Sequence, residues 1–226
     1  MNDFFNYQTL KIRLEKSTRT LFITLKSDGV NNPITMECLF ELEGLLAWCT
    51  SKVEIHSIVL QSNSEILSCG YNPKLLKKLT LDKVKTFTQK LQKINFALMH
   101  LPQTIIVDLQ LGAHNIASEI ATAADIRVAN RACKINFNHS NLGVMPCSGG
   151  ISQLSQIVGL ANAKNWIMTG ENISLAKLES CGFVYKAYTM DNRDETIQGI
   201  LKSIARQSPI LRIQTCLLYT SPSPRD

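Results

Sequence analysis

The stretch PQTIIVDLQLGAHNIASEIATAADIRVA, residues 102–129, contains a strand pattern, a turn and a helix pattern, and it ends in a second strand pattern. The apolar run Thr104–Leu109 is typical of a strand buried inside a sheet. The segment Ser118–Ala124 predicts a helix, and the residues DIRVA that follow predict the second strand. Because strand and helix patterns alternate here, this stretch indicates the α/β class.

The same alternation continues on both sides of this stretch. Upstream, strand patterns occupy Leu21–Leu25 and Ser57–Gln61, with a helical stripe over Thr35–Thr50 between them. Downstream, the residues KINF predict another strand, and two further helices are expected over Gly149–Val158 and Asn162–Met168. We find no internal repeat, so the alternating elements predict one α/β domain.

Composition and length exclude several classes of protein. The chain has 226 residues, of which 45% are hydrophobic and 19% charged, as expected for one packed domain and not for a disordered chain. No apolar run reaches the roughly 18 to 20 residues that span a bilayer, and the first residues do not resemble a signal peptide. The seven cysteines are an odd number without a CxxC pair, which argues against a disulfide framework and a zinc site. We therefore expect a cytoplasmic protein that holds no metal.

Positive charge is concentrated in one segment. The net charge is +6, and Lys74–Lys93 contains seven lysines but only one acidic residue, Asp82. This segment is interpreted either as the solvated face of a helix or as a local positive field for a phosphorylated ligand. It lacks interleaved aromatic residues and a known binding motif, so nucleic acid is not an expected partner.

Three segments together carry a family resemblance. Leu67–Pro73 (LSCGYNP) resembles an F-x-A-G-A-D loop, and Pro102–Ala129 resembles a strand, glycine-rich turn and helix ending in C-D-I. Asn138–Leu154 (NHSNLGVMPCSGGISQL) resembles an L-G-x-x-P-G-x-G-G segment. Their order and spacing, with Thr169-Gly170 and Gly182–Val184 downstream, are similar to those of the crotonase (enoyl-CoA hydratase/isomerase) superfamily.

The resemblance implies a fold and an assembly. The expected fold is α/β, a crotonase-like spiral of ββα units with two roughly perpendicular sheets and outer helices. Residues 1–215 are expected to form this domain without its C-terminal helices, and residues 216–226 resemble a translated sequencing adaptor, hence a non-native tail. Full-length relatives of this kind form homotrimers or hexamers. An acyl-CoA is the implied substrate, and no separate cofactor is implied.

The resemblance also implies an oxyanion hole, in which two backbone N–H groups hold the thioester oxygen of the substrate. The matching positions are Tyr71, after the glycine of the first loop, and Ile116, at the start of the helix. Two departures from the family pattern lie here. Asn115 and Ile116 replace small residues and are expected to narrow the hole, and Tyr71 is expected to reduce the acyl pocket.

Two residues match the acid–base positions of the family. Glu119, six residues before Asp125, matches the first catalytic glutamate, and His139, four residues before Gly143, replaces the second. Histidine can carry a proton near neutral pH but cannot act as a negatively charged partner. We therefore rank Glu119 as the main proton-transfer residue and His139 as its weaker partner. The alternatives are an ordinary salt-bridged carboxylate and a structural loop histidine.

Six further residues are expected to line the substrate site because they flank these motifs: Cys69, Gly70, Gly112, His114, Pro146 and Gly149. His114 is either a surface residue or a substrate contact. The thiols of Cys69 and Cys147 are not expected to be nucleophiles, because buried thiols are common and inert.

Three functions remain open from the sequence. The leading hypothesis is an enzyme that hydrates or isomerises an enoyl-CoA. The second is hydrolysis of a thioester or of a C–C bond, as some members of the superfamily perform. The third is binding of an acyl-CoA without catalysis, which the missing glycines and the missing second glutamate favour.

Overall fold

The computed structural model describes residues 6–71 and 80–216. The strands of these residues are β1 (Leu10–Glu15), β2 (Thr20–Leu25), β3 (Ser57–Ser62), β4 (Thr104–Asp108), β5 (Gly112–His114), β6 (Ile126–Asn130), β7 (Lys134–Asn136), β8 (Ile173–Ser174) and β9 (Lys186–Tyr188). The α-helices are α1 (Met36–Cys49), α2 (Leu81–His100), α3 (Ile116–Thr122), α4 (Ser152–Val158), α5 (Leu160–Thr169), α6 (Leu175–Ser180), α7 (Arg193–Ala205) and α8 (Pro209–Cys216). Short 3-10 helices cover Ser140–Leu142 and Met190–Asn192.

The strands form two sheets. The larger sheet has the order β1-β2-β3-β4-β6-β9, in which β1 and β2 are antiparallel and the other neighbours are parallel. The smaller sheet has the order β5-β7-β8. The chain passes from the larger to the smaller sheet between β4 and β5, and helix α3 follows β5 directly. The mixed α/β fold with a crotonase-like arrangement, predicted from the sequence, is thereby confirmed.

Alternate residues of the large sheet face two separate hydrophobic cores, as the two-residue period of a strand requires. One face packs against α7 through a small cluster: Phe22, Val59, Ile106, Val128, Tyr188, Ile197, Ile200, Leu201 and Ile204. The other face belongs to the main core, which includes the buried sides of α1, α2 and α3. The large sheet is therefore covered on both faces, which explains the continuous apolar runs of β3 and β4.

The predicted elements agree with the structure apart from their ends. The helix expected over Ser118–Ala124 begins two residues earlier, at Ile116, because the Asn115 side chain accepts a hydrogen bond from the Ile116 N–H and caps the helix. The helix α1 begins after Thr35, whose side chain accepts a bond from the Cys38 N–H. The sequence analysis missed β1, which pairs with β2 along its whole length.

The lysine-rich segment lies only partly within the described residues. Residues 72–79 are not described, and this range includes Lys74, Lys77 and Lys78. On α2, Lys90 and Lys93 form ion pairs with Glu43 of α1. These two lysines therefore have a partner within the fold, and their charge is partly compensated there.

Two further expectations concern the C-terminal tail and membrane-spanning helices. Residues 217–226, most of the expected tail, lie outside the described ranges. In the parts of the chain that are described, no helix combines the length and apolarity that a bilayer crossing requires.

Candidate functional site

The two backbone amides predicted for the oxyanion hole meet at a single oxygen atom. The Tyr71 N–H and the Ile116 N–H both donate to the side-chain oxygen of Asn115, with N···Oδ1 distances of 2.8 and 3.0 Å. These two residues are 45 positions apart in the sequence, yet their amides converge as two donors to one carbonyl oxygen. This is the geometry that an oxyanion hole requires.

The first donor is positioned by the glycine before it. Gly70 has a φ of +73°, which favours glycine over residues with a side chain. A Cβ atom at this position would overlap both Asn115 Oδ1 and the His114 backbone oxygen. The Gly70 N–H donates to Ser68 Oγ at 2.9 Å, which holds the turn in place. A glycine is therefore needed here for the loop to approach the start of α3.

The second donor lies at the first residue of α3, where the helix dipole favours negative charge. The helix is held from both sides. The Ser118 hydroxyl is 2.8 Å from the Ala113 and Asn136 backbone oxygens, and Asn95 of α2 donates from Nδ2 to the Glu119 backbone oxygen at 3.1 Å. These contacts hold α3 against β5, β7 and α2.

Asn115 places its own amide oxygen between the two predicted donors. Its φ of 42° and ψ of −111° lie in a region that side-chain-bearing residues rarely adopt. Its Nδ2 donates to Asn138 Oδ1 at 3.2 Å, and the residue is 4% exposed. The amide oxygen of Asn115 thus accepts from both amides that the sequence analysis predicted to hold the thioester oxygen. The sequence analysis expected Asn115 to lie near these amides and narrow the space between them, and in the structure its side chain fills that space.

Glu119 and His139 form a direct pair. His139 Nε2 lies 2.8 Å from Glu119 Oε1, and both side chains are fully buried. Glu119 is on α3, one turn after the Ile116 amide, whereas His139 immediately precedes the 3-10 helix Ser140–Leu142. The fold therefore brings together the two residues predicted to transfer protons.

The second carboxylate oxygen of Glu119, Oε2, accepts three hydrogen bonds. Oε2 accepts from the Ser148 N–H at 2.7 Å, from the Ser148 hydroxyl at 3.2 Å and from the Gly150 N–H at 3.1 Å. A Cβ on Gly150 would lie 2.9 Å from Pro146 Cβ and 3.0 Å from Glu119 Cγ, so a glycine permits this close approach. The three donors therefore occupy the acceptor positions of Oε2.

The tautomer of His139 follows from this pairing. A carboxylate oxygen only accepts, so His139 Nε2 must carry the hydrogen, and in the neutral ring Nδ1 is then the acceptor. Nδ1 is buried and has no hydrogen-bond partner among the described residues. The Tyr71 ring stands edge-on to the His139 ring with centroids 6.3 Å apart. The pair thus has one basic nitrogen that no group of the described residues uses.

A small apolar pocket lies beside this pair. It has a volume of about 250 Å³, and its described lining residues are Tyr71, Val84, Phe87, Thr88, Val144, Met145 and Cys147. The Tyr71 ring packs against Phe87 with centroids 5.7 Å apart, and the tyrosine is 6% exposed. Tyr71 therefore fills space next to the hole.

Burial and the charge of Glu119 also affect the neighbouring acidic groups. Burial, followed by the Cys147 and Glu119 charges, raises the pKa of Tyr71. Burial, followed by the Glu119 charge, raises the pKa of Cys147 to about 11. Both groups therefore stay protonated at neutral pH.

The remaining predicted substrate residues differ in their positions. Pro146 is buried beside Gly150, in the loop that binds Glu119. Gly149 has a φ of +125° and turns the chain towards α4, and a Cβ there would overlap the Gln153 side chain. Both residues shape the loop, but it is Gly150 whose amide contacts the carboxylate.

Cys69, Gly112 and His114 have other surroundings. The Cys69 N–H donates to the Asn31 backbone oxygen at 2.8 Å. A Cβ on Gly112 would lie 2.6 Å from the Lys134 backbone oxygen, so this glycine allows β5 to pair with β7. His114 is half-buried, and burial lowers its pKa. The described contacts of these three residues do not include Glu119 or His139.

Sequence reasoning missed the donors Ser148 and Gly150 and the anchor Asn95. The sequence analysis selected Gly149 for the site, and the spacing did not indicate that the Gly150 amide contacts Glu119. Within the described residues, no cluster of three or more His, Cys, Asp or Glu side chains could hold a metal ion.

Known families and proteins resemble this chain in sequence. The sequence pattern of the enoyl-CoA hydratase/isomerase family matches residues 15–216. A trans-2-decenoyl-[acyl-carrier-protein] isomerase of Streptococcus mutans is 26% identical over 196 residues, 85% of this chain and 73% of that protein. A short-chain-enoyl-CoA hydratase of Clostridium acetobutylicum is 24% identical over 198 residues, 87% of this chain and 76% of that protein.

Solved structures agree on the fold. An enoyl-CoA hydratase from Bacillus anthracis superposes with a TM-score of 0.89 at 20% identity, covering 95% of this chain and 83% of that one. DspI of Pseudomonas aeruginosa also has a TM-score of 0.89 at 20% identity, covering 97% and 84%. With the family match over most of its length and these shared folds, the chain belongs to the enoyl-CoA hydratase/isomerase family of the crotonase superfamily.

Proposed function

We propose that this protein binds an enoyl thioester of coenzyme A and moves its double bond by proton transfer. The observation that carries this proposal is the convergence of the Tyr71 and Ile116 amides on one oxygen atom, close to the buried Glu119–His139 pair. The coenzyme A thioester is the substrate, and the proposal includes no separate cofactor.

In this proposal the two amides hold the thioester oxygen. When a proton leaves the carbon next to the thioester, negative charge moves onto that oxygen and an enolate forms. Two preorganised donors stabilise this charge better than water does, and loss of one such donor typically costs about 3 to 4 kcal/mol of transition-state stabilisation. The position of Ile116 at a helix N-terminus adds to this effect.

His139 is the better candidate for the group that accepts the proton. Glu119 already accepts four hydrogen bonds, three of them at Oε2, so donors occupy both of its carboxylate oxygens. His139 has a free basic nitrogen, Nδ1, while its Nε2–H is held by Glu119. A carboxylate that orients a histidine in this way fixes its tautomer and stabilises the imidazolium that forms. We therefore assign proton transfer to His139 and the positioning role to Glu119, which reverses the ranking made from the sequence.

The pair favours isomerisation over hydration. Isomerisation of a 3-enoyl thioester removes a proton from C2 and returns one to C4, and a single proton carrier can perform both steps. Hydration uses two groups that hold a water molecule between them, but Glu119 and His139 bond directly to each other at 2.8 Å.

A second candidate function has one specific observation in its favour. Because the amide oxygen of Asn115 fills the hole, the protein could bind an acyl-CoA in another orientation and perform no chemistry. The two candidates differ in one measurable quantity, the turnover of a 3-enoyl thioester.

The test uses 3-butenoyl-CoA as substrate, and formation of the conjugated product crotonyl-CoA is followed by absorbance. Hydration of crotonyl-CoA is measured in parallel, since it consumes the same chromophore. Isomerisation with little hydration is the expected result. Binding of butyryl-CoA by calorimetry, without turnover of either substrate, would replace the proposal with the non-catalytic candidate.

A further inference from the structure

We infer that Asn115 is a gate residue of the oxyanion hole, whose side-chain amide must leave before a thioester can bind productively. This inference rests on the proposed function, because it concerns the same two amides. It makes Asn115 the residue that sets the affinity for acyl thioesters relative to coenzyme A itself.

The first step in the argument is that two oxygens cannot share the hole. Asn115 Oδ1 lies 2.8 Å from the Tyr71 nitrogen and 3.0 Å from the Ile116 nitrogen, within the usual range of N–H···O bonds. A thioester oxygen held by the same two donors would need the same position. The buried residues Gly70 and Tyr71 surround this point, so a second oxygen has no room beside the first.

The second step is that the amide can leave at low cost. When it leaves, the Tyr71 and Ile116 amides lose their acceptor, and a thioester oxygen that enters replaces that acceptor. The donor bond from Asn115 Nδ2 to Asn138 Oδ1 is long, at 3.2 Å. Asn115 also has a φ of 42°, which stores backbone strain at this position. The exchange of one acceptor for the other is therefore close to balanced.

The third step gives the size of the effect. A ligand whose competent state is only partly populated binds with an affinity reduced by that fraction. Two amide hydrogen bonds to Asn115, each of ordinary net strength, favour the closed state by about 10- to 100-fold. Removal of the Asn115 amide should therefore strengthen thioester binding by a factor of about 10 to 100.

The experiment compares two ligands that differ only in the group that the hole binds. Butyryl-CoA has a thioester carbonyl, whereas free coenzyme A has none. The dissociation constants of both are measured by calorimetry for the parent protein and for Asn115→Gly. Glycine tolerates the backbone conformation at this position. We expect Asn115→Gly to bind butyryl-CoA about 10- to 100-fold more tightly, with the affinity for free coenzyme A changed less than about 3-fold.

Two further variants keep the test decisive if the glycine variant is poorly folded. Asn115→Ala removes the amide but keeps a side chain, and it should show the same selective gain. Asn115→Asp places a carboxylate at the same two donors, where a charged acceptor binds more strongly. It should therefore weaken butyryl-CoA binding and leave free coenzyme A binding unchanged.

The outcomes separate the gate from the proposed function. Equal affinity of the parent and of folded Asn115→Gly or Asn115→Ala for butyryl-CoA would overturn the gate while leaving the proposed function standing. An equal gain for both ligands would also overturn it, since the effect would then not involve the carbonyl. If no variant bound either ligand, the proposed function itself would fail.

Discussion

Replacement of Glu119 by glutamine tests the assignment of His139 as the proton carrier. The glutamine has nearly the same shape, and its carbonyl oxygen can still accept from the Ser148 and Gly150 amides. Its NH₂ group must then face His139 Nε2, in the position that Glu119 Oε1 has in the parent protein. Because NH₂ only donates, His139 Nε2 would become the acceptor and the proton would move to Nδ1. The nitrogen that is proposed to act as the base would then be blocked.

The expected loss of activity is large. Changing a carboxylate that orients a catalytic histidine into an amide lowers kcat by about 10⁴-fold in a serine-protease triad. Loss of a positioned acid or base in general costs about 10²- to 10⁴-fold. We expect Glu119→Gln to lower the rate of 3-butenoyl-CoA isomerisation by at least about 100-fold, with affinity for butyryl-CoA changed little.

The assay measures kcat with saturating 3-butenoyl-CoA, in the parent chain and in the Asn115→Gly background. Glu43→Gln is the matched control, because it also changes a carboxylate to an amide but lies in the ion pairs between α1 and α2. The circular dichroism spectrum and the unfolding midpoint of Glu119→Gln, compared with those of the parent, check that the variant is folded. A Glu119→Gln protein that is folded and retains more than a third of the parent rate would refute the reasoning about the histidine tautomer.

Three further outcomes are expected. Gly150→Ala should lower the free energy of unfolding in denaturant by about 1 to 3 kcal/mol, because the new Cβ would crowd Pro146 and Glu119. The control is Gly44→Ala on α1, where a Cβ has no atom within 4 Å and alanine should stabilise the helix. Equal effects of the two substitutions would contradict the close approach at Gly150. Burial raises the pKa of Cys147 to about 11, so its thiol should react with iodoacetamide at pH 8 about 100-fold more slowly than in the unfolded chain. Mass spectrometry measures the labelling rate. Rapid labelling of the folded protein would show an accessible thiolate and contradict this expectation. Burial lowers the pKa of His114, so the unfolded chain binds more protons and the free energy of unfolding falls as the pH drops below about 6.5. His114→Asn should reduce this fall between pH 7 and 5. An unchanged slope would contradict the contribution of His114.

Much of the fold could be predicted from local pattern. The apolar runs of β3 and β4 are visible because a strand covered on both faces needs apolar residues at nearly every position. The strand β1 was missed although LKIRLE alternates apolar and charged residues, which is the pattern of a strand with one exposed face at a sheet edge. The exact start of α3 depends on the Asn115 cap, which is a side-chain contact that periodicity does not reveal.

The sequence by itself determined the family, the α/β class and the residue types available for chemistry. It placed Gly70, Tyr71 and Ile116 in motifs whose amides are the candidate donors, and it identified Glu119 and His139 as the two titratable residues of the site. These inferences work because motif spacing reflects local backbone geometry. Glycine at 70 and a helix start near 116 are both properties of short segments.

The tertiary structure alone determined how these residues act together. The shared acceptor of the Tyr71 and Ile116 amides, the donors to Glu119 and the surroundings of His139 Nδ1 depend on contacts between residues 20 to 44 positions apart. Whether a carboxylate is a base or a positioning group is set by the donors around it. Three of the four donors come from a separate loop at 148–150, whose distance from α3 is set by packing and not by sequence spacing.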